Sequence, residues 1–234
     1  MALDESDSIY LECDMKPSSK ETEEITKYNT YNSIRDLGLE DKYENLMKQY
    51  KSLKGKPGYA LYNVFVISSL VISDPEVLNK ANISKFNAID NYIYEYAQKK
   101  KNFKEVEGIE FQMKLLTELS GDYSETILDN LANKEMVIKS AKEDLDAYYS
   151  GNTQYYENEQ NLLLNQLEQL NDSDKEKYWN ILAYNRNIFM KDTLADSIHN
   201  NKHDFIGVGC KHLYGKKGII QLLKDDGYLV ECMK

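Results

Sequence analysis

The sequence predicts a helix-rich α+β (α/β-like) single domain with a small, mostly parallel sheet built from N-terminal, middle and C-terminal strands. Three observations lead there. Short β-like runs occur at 8–12 (SIYLE), 103–108 (FKEVEG) and 205–209 (FIGVG), far apart in the chain. Long stretches with helical spacing separate them, and strands joined by helical connections pair in parallel. Only 3 prolines interrupt 234 residues, so long helices are permitted.

SIYLE is short, apolar and ended by Glu12, the pattern of a strand. Residues 16–30 are polar and suit a loop or frayed helix. Over 33–53 the spacing is helical; Asp41 is a candidate cap, and Tyr43, Leu46, Met47 and Tyr50 share a face. KGKPG at 54–58 is a break, and YALYNVFVISSLVI at 59–72 reads as a buried helix. That apolar run falls short of the about 20 residues that span a bilayer, so no membrane-spanning segment is expected. Residues 88–100 are amphipathic, and 109–119 return to helical spacing. A helical arm over 123–149, the break SGNTQ at 150–154 and a second run over 155–170 read together as a projecting hairpin. Asn171 offers an N-cap for a helix over 174–198. There is no internal repeat, and residues 1–234 read as one domain.

The last unit carries the clearest chemistry. FIGVG is a strand, KKGIIQLLKDDG a helix with Gly227 at its C′ position, and YLVEC at 228–232 a further strand. A right-handed crossover would put both strands in one parallel sheet. His212 then lies between the carboxyl end of a strand and a helix N-terminus, the edge where open α/β sheets bind ligands. Gly209 and Gly215 let backbone approach closely there. The helix terminus favours a neutral, metal-competent imidazole. Glu12 and Glu107 end the other two strands in the same way. If the three strands are neighbours, these groups form either a mixed nitrogen and oxygen metal site or an acid–base cluster. Solvated strand-end carboxylates are the plainer reading.

Composition removes several classes. A net charge of −10 argues against a nucleic-acid partner, which needs a basic face. The 3 cysteines, Cys13, Cys210 and Cys232, form no CxxC pair and read as mostly buried thiols rather than a disulfide framework. MALDESDSIY has neither the basic nor the apolar region of a signal peptide. His199 and His203 stand four apart in a polar linker without the glutamate of HExxH, and GKPG lacks the spacing of a phosphate loop.

FIGVGCKHLYGKKGIIQLLKDDGYLVE resembles the C-terminal signature of the TraB/PrgY/GumN family, to which the Tiki proteins also belong: Gly-x-x-His-Leu-x-Gly, a short Leu-rich helix, Gly-Tyr and a final strand. Here the motif is Gly209, His212, Leu213 and Gly215, followed by Gly227 and Tyr228. YNRNIFMKDTL at 184–194 is similar to the family's Arg-Asn helix, on Arg186 and Asn187. Residues 88–119 resemble its Asp, Lys and Glu-x4-Gln segment, on Asp90, Glu107 and Gln112, and residues 2–15 the strand carrying its Glu, here Glu12. The resemblance implies a metal-dependent hydrolase, peptidase in kind, holding a divalent metal (Zn, Mn or Co) through His212 and Glu12. It implies catalytic parts for Glu12, Glu107 and Arg186, with Asn187, Gly209 and Gly215 in binding. A buried Arg186 is equally explained by a salt bridge to one of these glutamates. The substrate implied is a peptide or small molecule. The alternative is a non-catalytic protein that binds a peptide or pheromone. Relatives are often membrane-anchored or extracytoplasmic. The family also has a first Gly-x-x-His on an upstream strand. Residues 1–11 hold neither Gly nor His, so the expectation is a chain that starts after that strand or a degenerate member.

Overall fold

A computed structural model describes residues 2–14, 16–83, 89–100, 102–158, 170–200 and 203–232. Three strands, β1 (Ser8–Leu11), β2 (Phe103–Glu105) and β3 (Asp204–Gly207), form one parallel sheet in the order β2-β1-β3. Ile9 lies opposite Phe103 on one side and Phe205 on the other. β1 is central, so all four of its residues are buried, as parallel sheets covered on both faces require.

Alternation along β1 splits the core in two. Ile9 and Leu11 face Ile93, Tyr94 and Ala97 of helix α6 (Ile89–Lys100). Tyr10 faces the opposite way, toward Met190 of α11 (Asn185–His199) and toward Ile219 and Leu223 of α13 (Ile219–Asp225). A larger all-helical core lies apart from the sheet. Its members include Leu46 of α3 (Glu40–Gln49), Ile67 of α4 (Val64–Ile72), Leu128 of α7 (Ile109–Leu131) and Val137 of α8 (Lys134–Ser150). Tyr50, fully buried in it, donates its hydroxyl to the Leu131 carbonyl at 2.6 Å, so its own polar atom is satisfied. The remaining helices are α1 (Ala2–Glu5), α2 (Ser19–Thr30), α5 (Pro75–Lys80), α9 (Thr153–Glu157), α10 (Asp172–Trp179) and α12 (Cys210–Leu213).

Several sequence expectations need correction. Residues 19–30 form a regular helix because Ser18 and Glu21 complete a capping box. Helix α3 starts from Leu39 after a turn at Gly38 (φ +68°); Asp41 stands in its first turn and caps nothing. The 59–72 segment is two pieces, a 3-10 turn over Pro57–Leu61 and then α4, because the Asn63 side chain accepts from the Phe65 and Val66 amides and starts a new helix. Helix α7 runs on to Leu131. Gly121 makes room against it for the Asn32 side chain, since a Cβ there would lie 2.9 Å from Asn32 Nδ2. Helix α8 ends on Gly151 in the left-handed region. The second arm of the expected 123–170 hairpin lies mostly at 159–169, outside the described residues.

Residues 228–232 form no strand. The expected β–α–β closure therefore stops at the helix. Gly227 does take the C′ position (φ +88°), with Tyr228 N–H donating to the Leu223 carbonyl and Gly227 N–H to Lys224. Tyr228 and Val230 then pack on the β1–α11–α13 cluster with Leu229 exposed between them. The alternation that predicted a strand is thus present in side-chain packing, but no ladder bonds accompany it. Among the described residues, no helix is long and apolar enough to cross a membrane.

Candidate functional site

The carboxyl ends of all three strands meet at one edge. Pairing continues just beyond them: Glu107 N–H and Gly108 N–H both donate to the Glu12 carbonyl, at 3.0 and 3.1 Å. This places Glu12 and Glu107 side by side. On the other flank, Gly209 N–H donates to Glu12 Oε1 at 2.7 Å. His212 follows on the single-turn helix α12.

Arg186 ties the two glutamates together. Its Nε reaches Glu107 Oε1 at 2.9 Å, and its Nη2 reaches Glu107 Oε2 at 2.7 Å and Glu12 Oε2 at 2.9 Å. The fork geometry of guanidinium makes this pairing bidentate. The Glu107 side chain is 0% exposed, Arg186 8% and Glu12 22%. Burial pulls the Arg186 pKa down, but the hydrogen bonds and charge of Glu107, then of Glu12, outweigh it, and the net shift is upward. The salt-bridge reading of a buried Arg186 is therefore realised.

Helix geometry aims that arginine. Residues Asn180–Tyr184 form a π-turn between α10 and α11, with Asn185 N–H donating to the Asn180 carbonyl. Arg186 Nη1 lies 3.4 Å from the Leu182 carbonyl. The turn shifts the buried stripe by one residue. Tyr178 and Ile181 serve the helical core upstream, and Arg186, Asn187 and Met190 serve the sheet downstream.

His212 is buried and anchored. Its Nδ1 stands 2.6 Å from Asn187 Oδ1, while Asn187 Nδ2 donates to the Lys217 carbonyl at 2.8 Å. With the amide nitrogen committed, Asn187 Oδ1 must accept, so Nδ1 of His212 carries the proton and Nε2 keeps its lone pair. Burial, then the Arg186 charge, pushes the His212 pKa down to about 4 against an opposing pull from Glu12. The imidazole is neutral at neutral pH. A Cβ on Gly209 would lie 3.3 Å from Glu12 Oε1 and 3.6 Å from His212 Cδ2, so this glycine keeps open the space between carboxylate and ring.

Two nearby groups extend the network. Gln112 Nε2 lies 3.4 Å from Glu12 Oε2, and Cys13 Sγ lies 3.7 Å from Gln112 Oε1. Burial, then the Glu12 charge, pushes the Cys13 thiol up to about 12, so it is no nucleophile. Desolvation and then Glu12 raise the Asp90 carboxyl above its ordinary range. Gly215 (φ +91°) stands outside the ion network, in the loop beyond His212. His199 approaches Tyr228 instead, at 3.3 Å from its hydroxyl, and His203 pairs with Asp7 before β3 begins; neither joins the site. The π-turn escaped the sequence reading. Its only trace is the one-residue slip of the apolar stripe between Ile181 and Met190.

A resident metal meets a short donor set. Among the described residues of the site, His212 Nε2 and Glu12 are the groups that could hold one, and both Glu12 oxygens already accept hydrogen bonds from Gly209 and Arg186. Among the described residues, no group of three His, Cys, Asp or Glu side chains could hold a metal ion. Glu107 is consumed by Arg186.

Neither the curated proteins nor the solved structures offer a match to this sequence. The sequence model of the TraB/PrgY/gumN family matches residues 1–232. With nearly the whole chain covered, the protein belongs to the TraB/PrgY/gumN family.

Proposed function

We propose that the protein is a metal-dependent hydrolase acting on peptide bonds, with Glu12 and His212 as its chemical centre. The observation that carries this reading is the anchored neutral imidazole: Asn187 holds Nδ1, which leaves Nε2 unprotonated on a ring whose Cδ2 edge and the Glu12 carboxylate both border Gly209. A divalent cation (Zn, Mn or Co) held by His212 Nε2 and Glu12 would supply Lewis acidity and a more acidic water. Two protein donors are one short of the three found in catalytic zinc sites. A third has to come from outside the described residues or from the substrate.

The chain's own residues divide the work. Glu12 is the acceptor available to take a proton from a water or substrate group. Arg186 and Glu107 act as positioning residues: the arginine fixes one Glu12 oxygen, and the buried Glu107 fixes the arginine. Gly209 fixes the other oxygen through its N–H.

Metal stoichiometry of the purified full chain tests this. Close to one equivalent of Zn, Mn or Co should bind, be lost in His212→Ala, and accompany cleavage within a mixed peptide library read by mass spectrometry. A second reading, a non-catalytic peptide-binding protein, is favoured by one observation: both Glu12 oxygens already accept hydrogen bonds, from Gly209 and Arg186. Wild-type protein that takes up none of these metals and cleaves nothing would establish that reading over the first.

A further inference from the structure

The helix that carries His212 is too short to hold its own place. Cys210–Leu213 is a single turn of four residues, and Gly209 before it offers no side-chain cap. A turn of that length is not stable alone, so contacts from elsewhere must fix it. Two bonds tie it to the site, one from Gly209 N–H to Glu12 and one between His212 and Asn187. Cys210, Lys211 and Tyr214, by contrast, meet helices α8 and α9.

Asp144 of α8 is the centre of that contact. Its Oδ2 accepts from Lys211 Nζ at 2.6 Å, its Oδ1 from the Tyr155 hydroxyl at 2.8 Å, and its carbonyl from the Tyr156 hydroxyl at 3.0 Å. The local sequence brings these groups together. Gly151 (φ +64°) ends α8 in the left-handed region, and the Asn152 side chain accepts from Tyr155 N–H and starts α9 at once. The chain folds back, and two tyrosines 11 and 12 positions after Asp144 reach it. Tyr156 is buried, and its ring stacks on Tyr214 with centroids 6.0 Å apart. Burial and then a hydrogen bond with Cys210 raise the Tyr156 pKa above its ordinary value. Cys210, Lys211 and Tyr214 are thus gripped by one corner, and α8 roots that corner in the all-helical core through Val137.

The ion pair alone would be a weak tether, since the Lys211 and Asp144 side chains are 41% and 30% exposed. Its strength comes from sharing Asp144 with two tyrosine hydroxyls, one of them on a buried ring stacked against the same turn. None of these Asp144 bonds goes to Glu12, Arg186 or Asn187, so its influence on the site runs through the turn. We infer that Asp144 is a positioning residue for His212: through Lys211, Tyr155 and Tyr156 it fixes the turn that carries the imidazole and keeps that ring on Asn187. The inference rests on the hydrolase reading for the purpose of this placement; the placement itself is measured without it.

Hydrogen exchange followed by NMR on the full chain is the test. The reporters are His212 Nδ1–H and His212 backbone N–H, which donates to the Gly209 carbonyl, and the controls are the Ile67 and Leu128 amides in the helical core. Asp144→Asn keeps an acceptor for Tyr155 and removes the charge that holds Lys211. Lys211→Met keeps the aliphatic stem and removes the ammonium. Each should speed exchange at both His212 protons about tenfold with the controls unmoved, as expected for local opening after loss of one hydrogen bond to a charged group. The double variant should also stay near tenfold, because both changes break the same link, whereas independent effects would multiply to about a hundredfold. Lys211→Arg keeps charge and reach and should stay within about twofold of wild type. Unmoved His212 protons, an equal rise at Ile67 and Leu128, a multiplied effect in the double variant, or Lys211→Arg as fast as Lys211→Met overturns the inference. Metal uptake keeps the two readings apart. A wild type that takes up no Zn, Mn or Co yet shows this exchange pattern loses the hydrolase and keeps Asp144 in its role. Metal uptake without the exchange pattern does the reverse.

Discussion

Replacing Arg186 with leucine isolates the central ion network. The substitution keeps an aliphatic body and removes the cation that pairs with Glu107 and Glu12. Glu107 is the sensitive partner, because its side chain is 0% exposed and water cannot take the arginine's place. Breaking a buried pair from one side costs about 3–5 kcal/mol. An independent route gives a similar figure. A buried carboxyl without a cation escapes by taking up a proton, and holding a carboxylic acid neutral at pH 7 costs about 4 kcal/mol, since each unit above its ordinary value of about 4.3 costs ~1.4 kcal/mol. That route has a signature. The folded variant keeps a proton that the unfolded chain releases, so its deficit should grow as pH rises and shrink to about 1 kcal/mol at pH 5. Urea unfolding of wild type and Arg186→Leu at pH 5 and pH 7 measures both values. The double variant Arg186→Leu/Glu107→Leu should recover most of the loss, because two apolar side chains replace the pair without leaving a buried charge. A deficit at pH 7 below about 1.5 kcal/mol, or one that is the same at pH 5, would refute the picture of a dry, mutually dependent pair.

Three further outcomes are expected. Burial and then the Arg186 charge push the His212 pKa down to about 4 in the folded protein, against about 6.5 for an unfolded imidazole, so its contribution is full strength above pH 6.5 and stability is lost as pH falls from there toward 4. The loss should reach about 2 kcal/mol at pH 5, and subtracting the pH profile of His212→Asn from that of wild type should isolate it. Asn187→Leu strands the buried His212 Nδ1–H and should cost about 1–3 kcal/mol, the part-buried Lys217 carbonyl turning to water instead, with the His212 ring proton lost from its slowly exchanging NMR position. Gly209→Ala should fold almost normally, since φ −56° suits alanine, yet its Cβ enters the space between Glu12 and His212; metal uptake or turnover should fall about tenfold while thermal midpoint barely moves.

The strand ends were legible because their signal is local. A short apolar run, a terminating carboxylate and a glycine-bounded turn need no knowledge of the rest of the chain, and Glu12, Glu107 and His212 were found that way. Their partners were not. Arg186 stands 79 positions from Glu107 and 174 from Glu12, and no pattern in one sequence states that such residues touch. Only the family resemblance singled out Arg186 and Asn187. Two of the misread elements share a cause: a polar side chain outweighed hydrophobic spacing. Asn63 restarted a helix that YALYNVFVISSLVI reads as continuous. Ser18 and Glu21 made a helix of a stretch with no buried face. At the C-terminus, the helix-ending turn at Gly227 uses the Tyr228 amide, so YLVEC keeps its alternation without joining the sheet.

Strand order decides which carboxylate is left for chemistry. With β1 between β2 and β3, Glu12 is reached from both sides, by Arg186 and Glu107 beyond β2 and by Gly209 beyond β3. Glu107 borders only one neighbour, so its oxygens are used up by a single guanidinium and sealed from solvent. Glu12 shares that guanidinium, retains 22% exposure, and opens toward His212 across a residue without a side chain. Swapping the two roles would require β2 in the centre. The same order explains why the site tolerates a buried charge at all. Arg186 is neutralised by a carboxylate that does nothing else, and this leaves the second carboxylate fixed in direction but still accessible.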